Sequence, residues 1–114
     1  MDPVRMLLLF DYYGEMLTER QRICLDMRYN QDMSLAEIAD ELGVGRQGVH
    51  DNITRAEAHL EKMEEKTGCV RRYLQSRAAV LTILESLSDI STHPDPAVKA
   101  AAEKIAAAAR SIEE

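Results

Sequence analysis

Arg46, Gln47, His50, Asp51, Thr54 and Arg55 are the side chains whose types and spacing suit chemistry on another molecule. If Val49, Ile53 and Ala56 face inward on a helix, a step of about 100° per residue turns Gln47, Asp51, Thr54 and Ala58 outward and sets Arg46, His50 and Arg55 on the flanks. A guanidinium fork matches the two acceptors of a guanine edge, and a glutamine amide matches an adenine edge in the same two-point way. Arg46 and Gln47 fall in the first turn, where a groove-inserted helix meets base edges. Arg55, with Arg20 and Arg22, suits phosphate oxygens. Asp51 is repelled by phosphate unless it accepts from a cytosine amino group. Taken one at a time, the same residues also fit an ordinary solvated helix face, so the elements that carry them matter.

Those elements are spelled out from Ser34 to Leu60 as two helices meeting at a tight turn. Ala39 falls where the helices touch and only a small side chain fits. Gly43 falls where the turn needs positive φ, and Val49 where the second helix sends an apolar anchor back to the first. The pattern predicts a helix-turn-helix, a unit that presents its second helix to a nucleic-acid groove. Gly45 stands where Ser or Thr would cap that helix better, and Gly48 lies inside it at a cost of about 1 kcal/mol relative to Ala. Both predict a helix start that is loosely held until something binds.

The flanking sequence predicts more helices. Asp2-Pro3 is a capped start for a helix to about Glu15, with Val4, Leu7, Leu8, Tyr12 and Met16 near one stripe. Thr18 and Gln21 form a capping box opening a helix to about Tyr29, and Ser34 and Glu37 form another for Leu35 to Leu42. Apolar residues then recur through Val49, Ile53, Ala56, Leu60 and Met63, so the second helix of the motif is long. Thr67-Gly68 ends it, and Val70 to Leu87 resumes the rhythm in a fifth helix. Asp95-Pro96 starts an Ala-rich segment with a thin stripe of Val98, Ile105 and Ile112. The expected organisation is a helix-turn-helix domain over residues 1–66, a helix over 67–90 packing on it or on a partner chain, and a tail helix over 91–114.

With 114 residues, 30% charged and 4% aromatic, the chain is expected to be all-α, with long C-terminal helices and no room for a large catalytic cleft. Its net charge is −6, and between Ser34 and Lys66 four basic side chains face eight acidic ones, so few phosphates would be neutralised and binding to nucleic acid alone should be weak and salt-sensitive. Cys24 and Cys69 are isolated from each other and from any histidine at ligand spacing, so no metal site, redox pair or cofactor is expected. His50, His59 and His93 are scattered and no nucleophile has a recognisable partner, so no catalytic residue is assigned. Met6 to Phe10 is too short to span a bilayer, and a cytoplasmic protein without membrane contact is expected.

The segments LLFDYYGEMLTERQR and DNITRAEAHLEKMEEK, together with the helix-turn-helix, resemble the YlxM family of Gram-positive bacteria over about Met6 to Leu87. The resemblance rests on Leu9-Phe10-Asp11-Tyr12-Tyr13, Leu17-Thr18 with Gln21-Arg22, Ser34-Leu35 with Glu37-Ile38-Ala39, and Arg46-Gln47 with Asp51-Asn52-Ile53. It implies a small helix-turn-helix protein similar to the region-four domain of sigma factors. It also implies a regulatory link to the signal recognition particle pathway. Two functions follow as expectations. One is contact with RNA or DNA through the six residues named first. The other is an adaptor that modulates the targeting GTPases by protein contact. The two long striped helices add a homodimer or higher oligomer to the expected partners.

Overall fold

A computed structural model of the chain describes residues 2–113, and among them every regular element is helical. The order is α1 (Pro3–Tyr13), a 3-10 turn (Gly14–Met16), α2 (Glu19–Tyr29), α3 (Leu35–Leu42), α4 (Arg46–Thr67), α5 (Cys69–Ser88) and α6 (Pro96–Ser111). The all-α expectation holds, and so do the starts. Asp2 and Asp95 each accept an N–H two residues on, ahead of a first-turn proline. Thr18 with Gln21 and Ser34 with Glu37 form reciprocal capping boxes, each satisfying two donors that a helix start would otherwise leave open.

The chain divides between Val70 and Arg71 into two units. In the first, a core under α1, α2 and α4 gathers Met6, Leu9, Tyr13, Leu25 and Leu60. A second core under the helix-turn-helix gathers Cys24, Ile38, Ala39, Val49 and Ile53. Burying such side chains contributes about 1.5–3 kcal/mol each for the large ones. The buried face of α1 is not the stripe the spacing favours. Val4 is 67% and Met16 66% exposed, whereas Met6, Leu9 and Tyr13 are buried. Apolar side chains surround α1 between Val4 and Phe10, so periodicity does not choose its face. Its rotation matches two polar contacts made with α4: Arg5 holds Glu61 through bonds of 3.1 and 2.7 Å, and the Tyr13 hydroxyl donates to Glu64 at 2.7 Å.

Glu64 is the other departure. This carboxylate is buried on a helix read as an apolar seam, and it accepts from both Tyr13 and the Val70 N–H at the start of α5. It thereby satisfies one of the donors that the first turn of α5 leaves open. Gly68, with φ 67°, closes α4 by donating its N–H to the Glu64 carbonyl. In the second unit α6 buries Ala102 and Ala109, while Ile105 and Ile112 of the expected stripe are exposed, so the small face rather than the branched one is covered.

Candidate nucleic-acid interface

The turn that aims α4 is built as its residues require. Gly43 caps α3 at φ 67° and ψ 34°, and both its N–H and that of Val44 return to the Ala39 carbonyl. Nothing lies within 4 Å of the place where a Cβ would project from Gly43, so its requirement is conformational rather than steric. Ala39 is buried in the cluster beneath the turn, and Val49 is fully buried beside it. Anchored by Val49 and Ile53, α4 cannot roll without exposing them, and its opposite side faces solvent.

Gln47 and Thr54 on that side, and Arg46, His50 and Arg55 on its flanks, are exposed, and Asp51 is half-exposed. All six expected residues therefore share the first three turns of one helix, and none is covered by its own unit. Arg20 and Arg22 are exposed on α2, a different element. Within the set, the Gln47 amide donates to the Asp51 carboxylate at 2.9 Å, and His50 Nδ1 lies 3.6 Å from the same oxygen. Asp51 thus occupies one donor of the amide that would read an adenine edge. The Asn52 amide donates to the Gly48 carbonyl at 3.0 Å, a brace across the turn containing the interior glycine that the spacing did not reveal. Gly45 caps the helix without a side-chain bond, as its lack of a side chain dictates.

Chemically, this face can donate from guanidinium and amide groups and can accept at one carboxylate. Among the described residues no three His, Cys, Asp or Glu side chains group as a metal site, and no helix is long and apolar enough to cross a membrane. Burial raises the Cys24 thiol above its ordinary pKa, against a smaller opposing pull from Arg20, so that sulfur is held as an inert thiol inside the second core.

An anchored helix, a left-handed glycine turn and an uncovered outer face define a helix-turn-helix protein. The comparisons with known proteins make the class particular. A family model described as "Putative helix-turn-helix protein, YlxM / p13 like" matches residues 2–99, and the chain belongs to that family, UPF0122. A UPF0122 protein of Acetivibrio thermocellus is 49% identical over 83 residues, covering 73% of this chain and 71% of its own length. One from Listeria monocytogenes is 44% identical over 101 residues, covering 89% and 91%. One from Thermoanaerobacter sp. is 41% identical over 114 residues, covering 99% and 95%.

Proposed function

We propose that this protein is a regulatory nucleic-acid-binding protein, not an enzyme, and that it meets RNA or DNA through Arg46, Gln47, His50, Asp51, Thr54 and Arg55. One observation carries the reading: the six residues are open to solvent in the first three turns of a helix whose inner side is locked by Val49 and Ile53, with Gln47, Asp51 and Thr54 outward and Arg46, His50 and Arg55 on the flanks. Arg46 and Gln47 would read base edges from the first turn, and Arg55 would hold a phosphate. A titration of the full chain against a labelled duplex tests it. Arg46→Ala and Arg55→Ala should each weaken binding and flatten its salt dependence by about one charge. A parent protein that binds neither DNA nor RNA at low salt ends the proposal.

The family membership fits a setting in the cytoplasm, and the resemblance read in the sequence implies the signal recognition particle pathway, with particle components as further partners. Crosslinking in cells, read beside the proteins that co-purify, tests that setting. A pull-down of targeting GTPases insensitive to nuclease and to Arg46→Ala would favour the adaptor function instead. Self-association belongs to the same proposal, because Leu74 and Leu81 are 41% and 48% exposed on α5, one heptad apart. Sedimentation at micromolar concentration should show a dimer or larger species, dispersed by Leu81→Asp.

A further inference from the structure

The charge of α4 changes character when its residues are sorted by direction. Beyond Arg55, Glu57 accepts from the Tyr29 hydroxyl at 3.1 Å, Glu61 is held by Arg5, and Glu64 is buried against Tyr13 and Val70. Spaced four and three apart, these carboxylates share the side of α4 that turns to α1 and α2. Arg55, His59, Lys62 and Lys66 recur at steps of four, three and four and are all exposed. At about 100° per residue they fall within roughly 60° of arc, a straight stripe down the helix. Among the described residues none of the four is held by an ion pair or hydrogen bond. Three of the four carboxylates of α4 beyond Arg55 therefore meet α1 or α2, and the basic line runs down the opposite flank, with Glu65 exposed beside it.

The geometry points to a phosphate track: a strand of the bound nucleic acid leaves the first turns of α4 and runs along Arg55, His59, Lys62 and Lys66. The inference rests on the nucleic-acid function proposed above and adds the class of contact beyond the reading face. A 22-residue helix is about 33 Å long, while a duplex major groove is about 12 Å wide. With its first turns in a groove, the rest of α4 has to pass a phosphodiester rim, and the stripe lies on that exposed stretch. From Arg55 to Lys66 it spans about 16 Å, against a phosphate every ~3.4 Å of duplex axis per strand. The contact is to backbone shared by DNA and RNA, so it strengthens binding without selecting sequence.

The test uses the full chain, with a fluorescent DNA duplex of about twenty base pairs and its RNA counterpart, between about 50 and 200 mM salt. Lys62→Gln combined with Lys66→Gln should reduce the log–log salt slope on DNA by about 1.8 and weaken binding on the order of tenfold at ~0.1 M, equally for unrelated sequences. Glu65→Lys should steepen the slope by about 0.9. All three positions are exposed, so circular dichroism should report unchanged folding. A slope change on one polymer alone upholds the track and identifies its source. Slopes unmoved by either variant, while the parent binds and Arg46→Ala weakens it, overturn the track and leave the reading face standing. A parent that binds neither duplex at the lowest salt overturns both.

Discussion

Asp51 is the one acid in the proposed reading face, and it holds the Gln47 amide. Replacing it by Asn removes a charge that opposes phosphate and turns a pure acceptor into a group that also donates. Asp51→Asn is expected to tighten binding to any duplex severalfold at low salt and to steepen the salt slope, as read by the same titration; weaker binding would show instead that Asp51 accepts from a base. Gly48 lies three residues into α4, faces open space and has ordinary helical backbone, so Gly48→Ala meets nothing within 4 Å. It should raise stability by about 0.5–1 kcal/mol in a denaturant melt, by removing unfolded-state freedom. The uncapped start at Gly45 should exchange its amides quickly through Val49 in the free protein, slowing in that variant. Gly43→Ala runs the other way, because its φ of 67° strains any residue with a Cβ, and should cost about 1–2 kcal/mol despite equal room around it.

Among the elements, those set by local chemistry were legible in the sequence and those set by tertiary contact were not. The capping boxes at Thr18 and Ser34, the prolines after Asp2 and Asp95 and the left-handed glycine at residue 43 act through bonds within a few residues, and each falls where its spacing placed it. The exposure of the six proposed contact residues was legible for the same reason, since Val49 and Ile53 fix the rotation of α4 through simple periodicity. The rotation of α1 was hidden, because its apolar residues leave no polar side to read and Arg5 and Tyr13 meet partners more than fifty residues away. The buried carboxylate was hidden too. A seam of Leu60, Met63 and Val70 gives no sign that Glu64 between them is covered, nor that it caps the next helix. That elbow has a measurable value. Tyr13→Phe keeps the ring and strips a donor from a buried acceptor, a loss of about 1–3 kcal/mol in global stability. Glu64→Ala should cost at least as much and should also loosen the start of α5, seen as faster exchange at Val70.

For the whole molecule, the buried Tyr13 and half-buried Tyr29 phenols set how stability responds to alkali. Burial is the first cause that raises the Tyr13 hydroxyl above its ordinary value, with Glu64 adding to it and Thr67 opposing. Tyr29 is raised by burial and then by the charge of Glu57 and the hydrogen bond to it. An unfolded chain releases these protons near pH 10, whereas the folded chain keeps them longer, so over that interval the native state binds more protons than the unfolded one. The slope of unfolding free energy against pH is then negative. The contribution is complete below about pH 10 and is lost as pH climbs through the folded values. The denaturant midpoint should accordingly fall as pH rises above about 10, and the fall should be shallower in Tyr13→Phe, which has one such proton fewer. Because the phenols anchor α1 and α2 to α4, their ionisation should release the first unit cooperatively, with phenolate absorbance and loss of helix rising together. The second unit has a thinner core: its buried apolar side chains are Val80, Ala102 and Ala109, far less apolar area than the two cores of the first unit. Amides of α6 should therefore exchange well before those of α3 and α4 at neutral pH, and a concentration series that slows exchange in α5 and α6 alone would show a second copy supplying the missing cover. Equal protection in both units at nanomolar concentration would contradict that division of stability.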